Sequence, residues 1–270
     1  PEETMEDAGE RLGLPQITEI ELMRRLLSED LDTHLEEPAV AAGIGEQMLH
    51  MGMRPMPRSM RARIRDTCSK LPAKNAILIG GGIGHLAAWL LDLWCGGMDG
   101  ENSPRNARPE TFRIVEPGSR FGVIIDRLIR RYGAEPWAKV IAKPWDEVSA
   151  EAATERIANV ALPEAALQNS LMVPPDLVII DLPDEDRVTA AMSAFDLIAS
   201  GGVVLVQEPT VPTGDVGSPE DGQNPTPAQF KVSSFNDWIG LIKKVDDSHS
   251  LGFVEVTGGT LVALLRKSSV

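Results

Sequence analysis

Ala76-Ile77-Leu78-Ile79-Gly80-Gly81-Gly82-Ile83-Gly84-His85-Leu86-Ala87-Ala88-Trp89 is the stretch that decides the fold of this 270-residue chain. Four apolar residues, Ala76 to Ile79, end in a glycine run that opens directly into an apolar helix, expected from Gly84 to Cys95. Glycine lets the backbone turn sharply from strand to helix and lets a ligand touch the main chain, while a helix N-terminus offers unpaired N–H groups to an anion. The turn therefore suits a dinucleotide pyrophosphate or the carboxylate of an amino-acid cofactor. A tight strand-to-helix turn holding no ligand is the plain alternative.

Outward from this stretch the chain alternates short apolar runs with helical ones, which predicts strand and crossover-helix units and a parallel sheet. Further strands are expected at Phe112 to Glu116, Ala138 to Ala142, Leu177 to Asp181 and Val203 to Gln207, with helices from Arg120 to Tyr132 and from Glu185 to Ala199. Phe253 to Val256 and Leu261 to Arg266 read as two strands joined through Thr257-Gly258-Gly259-Thr260, a tight antiparallel hairpin. The fold class is thus a doubly wound, mostly parallel α/β sheet closed by a hairpin. Gly96 to Glu110 and a helical piece around Glu151 to Gln168 read as surface insertions. Pro209 to Gln229, rich in proline, glycine and acids, follows the fifth strand and is the candidate lid over a substrate.

Residues 1 to 70 read as an N-terminal helical cap and residues 71 to 270 as the α/β domain. Thr18 and Glu21 have the spacing of a capping box, and Leu27, Leu31 and Leu35 recur at helical intervals behind them. Pro38 can open a second helix, and a third runs from Ser59 to Ser69 with Met60, Ile64 and Cys68 on one side. Arg54, Arg58, Arg61, Arg63 and Arg65 are read as a solvated helix face balancing an acidic start, with steering of an anionic or RNA substrate as the alternative.

The apolar share of 43% is ample for a core, and the net charge of -14 argues against broad nucleic-acid binding, since phosphate neutralisation needs basic faces. Cys68 and Cys95 have no metal spacing and form no disulfide framework, and no window approaches the length of a membrane span. The expectation is a cytoplasmic protein with a small-molecule partner, no membrane and no nucleic acid; a homodimer is the candidate assembly, and oligomeric state stays open.

The first check on the glycine turn is an acid at the end of the second strand, where a carboxylate can accept hydrogen bonds from both ribose hydroxyls. Glu116 stands there. With this match the sequence resembles the class I S-adenosylmethionine-dependent methyltransferases, and more narrowly their small-molecule O-methyltransferase branch, from about Asn75 onward. The resemblance implies a seven-stranded Rossmann-like sheet. It equates Gly80, Gly82 and Gly84 with the family's Gly-x-Gly-x-Gly turn and Glu116 with its ribose acid; His85, directly after the turn, is a candidate to face the cofactor, with a polar rim position as the plain alternative. Asp181, closing Asp176-Leu177-Val178-Ile179-Ile180, falls at the acid beside the transferring methyl, and Gly201-Gly202 at the turn into strand five.

The chain also departs from that family. Leu78 stands where an acid is usual, and Lys143-Pro144-Trp145-Asp146 replaces a Gly-Asp-Ala stretch; Trp145 is the candidate to stack on adenine and Asp146 to stand in for the missing acid, with ordinary packing of Trp145 as the equal alternative. In metal-dependent members, acids after strands four and five hold a divalent cation such as magnesium; the matching positions are Asp181 and Glu208, the latter in Gln207-Glu208 where Asp-Asn is common. The predicted activity is S-adenosylmethionine-dependent methyl transfer to a small-molecule hydroxyl, with Asp181 and Glu208 as the catalytic pair. Three other readings stand beside it: a nicotinamide-dependent enzyme, since Gly82 to Ala87 satisfies Gly-x-Gly-x-x-Ala; a polyamine aminopropyltransferase, whose Gly-Gly-Gly turn is similar; and a methyltransferase-like scaffold without cofactor.

Overall fold

A computed structural model describes residues 19–28, 36–97, 108–161, 171, 174–214, 216–217, 224–246 and 249–267. β1 (Asn75–Ile79) lies at the centre of a seven-stranded sheet of order β3-β2-β1-β4-β5-β7-β6, with β2 (Thr111–Val115), β3 (Ala138–Ile141), β4 (Leu177–Ile180), β5 (Val203–Gln207), β6 (His249–Val256) and β7 (Gly259–Arg266). The first five strands are parallel; β7 runs antiparallel to β5, and β6 antiparallel to β7. Ala76 to Ile79 are fully buried because both faces of the sheet are covered. Side chains alternate across a strand, so Ala76 and Leu78 enter one core and Ile77 and Ile79 the other. Complete burial of such Leu or Ile side chains contributes about 1.5–3 kcal/mol each.

The two cores divide the helices by chain order. On one face lie α1 (Glu19–Leu27), α2 (Ala39–His50), α3 (Arg58–Ser69), α4 (His85–Cys95) and α5 (Ser119–Arg131), around Met60, Ile64, Trp89 and Phe112. On the other lie α6 (Trp145–Ala161), α7 (Asp184–Leu197) and α8 (Pro227–Val245), around Trp145, Phe195 and Trp238. Helices from the first 70 residues therefore share a core with the sheet.

Several expectations are corrected. The helical piece expected around Glu151 begins earlier: Trp145 already opens α6, which spans 17 residues, and residues 162–168 lie outside the described ones. The stretch assigned to a lid ends in a helix, α8, whose start is a capping box of Thr226 and Gln229 with Pro227 behind it. β6 begins at His249, four residues earlier than its apolar run suggests. Thr18, Leu31, Leu35 and most of Gly96 to Glu110 lie outside the described residues.

The hairpin matches its reading: Val256 pairs with Gly259 around Thr257-Gly258, and Gly258 has a φ of 98°. Its tip rests on the cap. Ser59 Oγ donates to the Thr257 carbonyl, a Cβ on Gly258 would meet Pro57 at 2.4 Å, and the Gln207 side-chain amide donates to the Gly258 carbonyl at 3.2 Å. No helix among the described residues is long and apolar enough to cross a membrane.

Candidate active site at the carboxyl edge of the sheet

The carboxyl ends of β1, β2 and β4 converge where the strand order reverses, the place where an open α/β sheet leaves a crevice. A cavity of about 600 Å³ lies there, lined by Gly80, Gly81, Gly82, Glu116, Asp181 and Gln207 from the sheet side. The cap closes it with Met48, Met53, Arg54, Met56 and Arg61. None of the described residues between Pro209 and Gln229 lines it.

The glycines of the turn do different work. Gly80 has a φ of 88°, and a Cβ there would stand 2.1 Å from the Asp181 carbonyl oxygen, so β1 and β4 can approach only because Gly80 has no side chain. A Cβ on Gly81 would strike Ile114 and Ile125 at 2.7 Å. Gly82, at φ 51°, faces open space, and its amide donates to Glu116 Oε2 at 2.6 Å. The other carboxylate oxygen, Oε1, accepts from Gly118 N–H at 2.8 Å. Each oxygen keeps a further lone pair, and Glu116 is 6% exposed and turned into the cradle. Gly84 caps α4 in the left-handed conformation at φ 92°.

Asp181 follows β4 at the cavity wall. Burial pushes its carboxyl up to about 6, against the lowering influence of Arg187 and Arg61. Arg187 is held in place: Nε donates to the Leu182 carbonyl at 2.7 Å, Nη1 binds Asp184 and Nη2 reaches Gln207.

The basic run before the core is a solvated face only in part: Arg54 and Arg58 are exposed, whereas Arg61, Arg63 and Arg65 pack inward. Arg61 is 5% exposed, pairs through Nη2 with Glu37 at 2.7 Å and donates through Nη1 to the Met56 carbonyl. Arg65 pairs with Asp92 at 2.7 Å, and both guanidinium groups lie over the Trp89 ring, at 5.6 and 5.9 Å from its centre. Glu37 Oε1 also meets His85 Nε2 at 3.0 Å and Trp89 Nε1 at 3.3 Å. His85 thus lines the cavity while anchored to the cap, and burial together with the Arg61 charge holds its imidazole below the usual range, opposed by Glu37. Burial raises Glu37, but the His85 hydrogen bond and the Arg61 charge outweigh it and hold the carboxyl low.

Gly80, Gly82, His85, Glu116 and Asp181 are therefore brought together as expected, with Gly84 just behind them. Trp145, Asp146 and Glu208 are not. The Trp145 ring is buried in the core beneath α7 and donates to Ser193 Oγ at 2.7 Å, so it is no adenine platform. Asp146 is exposed in the first turn of α6, away from the cavity lining. Glu208 accepts from Trp238 Nε1 at 3.2 Å and does not line the cavity, so it forms no pair with Asp181 there. Among the described residues no three His, Cys, Asp or Glu side chains could hold a metal ion, and the donor set around Asp181 does not fit one. Arg61 and Glu37 were missed; both sit in stretches whose charge looks like surface.

No protein-family model matches the sequence, and no curated protein does. Solved structures do. The O-methyltransferase from Bacillus cereus in complex with S-adenosylhomocysteine is 14% identical with a TM-score of 0.55, covering 91% of this chain and 96% of that one. The O-methyltransferase TomG from Streptomyces achromogenes, involved in tomaymycin synthesis and bound to S-adenosylmethionine, is 13% identical with a TM-score of 0.55, covering 92% and 95%. A Podospora anserina methyltransferase bound to S-adenosylhomocysteine is 12% identical with a TM-score of 0.54, covering 94% and 98%. The likeness lies in the fold, which is that of the class I methyltransferases.

Proposed function

We propose that this protein is an S-adenosylmethionine-dependent methyltransferase acting on a hydroxyl of a small molecule. One observation carries the reading: Gly82, Glu116 and Asp181 face a single cavity, with open space over Gly82 and the Glu116 carboxylate fixed by two main-chain N–H groups. The residues fit the cofactor: an uncovered main chain, a carboxylate with lone pairs left for ribose hydroxyls, and an acid further along the wall.

The cofactor brings an already activated methyl group, so the protein has to place the acceptor, exclude water and remove a proton. Glu116 holds the nucleoside end. Asp181, with its carboxyl raised to about 6 by burial, is ionised at neutral pH yet basic enough to accept the acceptor's proton as it leaves the hydroxyl oxygen. Arg187, fixed by Leu182, Asp184 and Gln207, keeps a positive charge beside that carboxylate. Met48, Met53, Met56, Pro55 and Pro57 give the acceptor side an apolar wall that keeps water out. Glu208 is bound to Trp238 and has no part in this reading, which also routes no step through a cation. The two cysteines are free thiols, in keeping with a cytoplasmic setting.

Isothermal titration with S-adenosylhomocysteine and with NAD tests the proposal. Binding of the first alone supports it. Binding of NAD instead makes the protein an oxidoreductase, and binding of neither makes it a scaffold.

A further inference from the structure

Two arginines of the basic run before the core have no part in the chemistry described above. Arg65 is engaged by Asp92 and the Trp89 ring, Arg63 by Asp66 and the Leu27 carbonyl, and Arg58 does not line the cavity. Arg54 and Arg61 do line it, the first from the segment between α2 and α3 and the second from α3. In a chain of net charge -14, the cap side of the cavity thus presents two guanidinium groups among methionines and prolines and, among the described residues, no acid. The acids of the lining, Glu116, Asp181 and Asp186, all come from the opposite side.

Arg61 is 5% exposed, and a charge taken out of water to that degree needs partners. Of its five N–H donors, Nη1 supplies one to the Met56 carbonyl and Nη2 one to Glu37, while Nε is buried without a partner. Glu37 is itself shared with His85 and Trp89. Burial holds the guanidinium below its usual range in spite of Glu37, in keeping with a cation short of acceptors. Arg187 differs in having three acceptors of its own.

Position says which ligand brings the missing anion. Arg61 lies close enough to Asp181 for each to act on the other's charge, and Asp181 is where the acceptor's proton goes in the proposed chemistry. The nucleoside end is fixed elsewhere, at Glu116. A ligand whose hydroxyl meets Asp181 and whose body lies on Met48, Met53 and Met56 is therefore within reach of the arginines of the cap. The cavity of about 600 Å³ has to hold the donor as well, which keeps that ligand small.

We infer that the acceptor is a small hydroxylated organic acid whose carboxylate is recognised by Arg61, with Arg54 on the exposed rim, while its hydroxyl faces Asp181. The planar fork of a guanidinium matches a carboxylate, which serves as a handle and is not itself methylated. This inference rests on the reading given under Proposed function and adds to it a preference for acids over neutral hydroxyl compounds.

The probes are benzoate and benzamide, a flat acid and its neutral counterpart of similar size, neither of which has a hydroxyl to methylate. Each is titrated by calorimetry into the full chain saturated with S-adenosylhomocysteine, which fills the donor's own part of the cavity. Charged hydrogen bonds predict that the parent protein binds benzoate about tenfold to a hundredfold more tightly than benzamide. Arg61→Gln should bring that ratio to near one, with benzamide affinity within about twofold of the parent's. Arg61→Lys should keep part of the ratio, because the charge stays and the fork is lost. Arg54→Gln should lower it only a few-fold, because an exposed cation is screened by water. A thermal melt and retained S-adenosylhomocysteine binding show which variants are folded. A parent ratio near one, or failure of both probes to bind, overturns the inference without any variant, as does an unchanged ratio in a folded Arg61→Gln. Displacement of S-adenosylhomocysteine by benzoate would put the anion in the donor's place and overturns it too. Failure of S-adenosylhomocysteine itself to bind refutes the methyltransferase reading, and the inference with it, and is a separate outcome.

Discussion

The amide of Gly82 donates to the Glu116 carboxylate at 2.6 Å, tying the turn after β1 to the acid after β2. Two charge-assisted bonds from Gly82 and Gly118 fix that carboxylate before any ligand arrives. Glu116→Ala leaves both amides without their acceptor and should cost about 1–3 kcal/mol of stability. It should also weaken S-adenosylhomocysteine about tenfold or more, because the ribose loses a charged acceptor. Urea unfolding and calorimetry read the two effects separately; undiminished affinity in a folded variant would falsify the ribose role.

Gly80→Ala and Gly82→Ala should behave differently. Both place a side chain at positive φ, at about 1–2 kcal/mol each. Only at Gly80 does the new Cβ run into backbone, at 2.1 Å from the Asp181 oxygen, so that variant should lose several further kcal/mol or fail to fold. Gly82→Ala should fold with a modest drop in melting temperature and lose ligand affinity, because its methyl enters the cavity. Equal melting temperatures for the two variants would contradict this division of labour.

Asp181 sets a pH dependence with a definite sign. Burial raises its folded-state pKa from 3.8 to about 6, so between those values the folded chain holds a proton that the unfolded chain has released. Stability from this group is therefore lost as pH rises through that window, and its cost is complete above it. Asp181→Asn should be more stable than the parent at pH 7, with the advantage gone near pH 4, as denaturant midpoints at the two pH values would show. Methyl transfer should fall by about 100-fold or more if the carboxylate is the base.

Trp145→Phe tests the corrected assignment. The ring lies in the core, and phenylalanine loses both the bond to Ser193 and part of the indole volume, so the variant should be destabilised by about 1–3 kcal/mol. Its affinity for S-adenosylhomocysteine should match the parent's. A large loss of binding with little loss of stability would restore the adenine role.

The sheet and the turn were legible because their signals are local. A four-residue apolar run, a glycine turn and an acid at each of two strand ends need only strand period and turn chemistry to be read. Arg61 was not legible, because its meaning depends on Glu37, 24 residues earlier, and on Trp89, 28 residues later, a meeting that only tertiary structure brings about. A partial signal existed: Arg61 and Arg65 stand one position after Met60 and Ile64, on the edge of the buried stripe of α3. α8 was hidden by Pro227, which reads as a loop residue until Thr226 and Gln229 are recognised as its cap. Trp145 misled because the stretch after β3 was equated with a Gly-Asp-Ala loop, whereas Trp145 begins a helix.

The tip of the hairpin touches Pro57, Ser59 and Gln207, the first of them 201 positions from Gly258 along the chain. During synthesis these contacts are the last to become available, so the hairpin braces from outside a cap that Glu37, His85 and Trp89 already tie to the sheet.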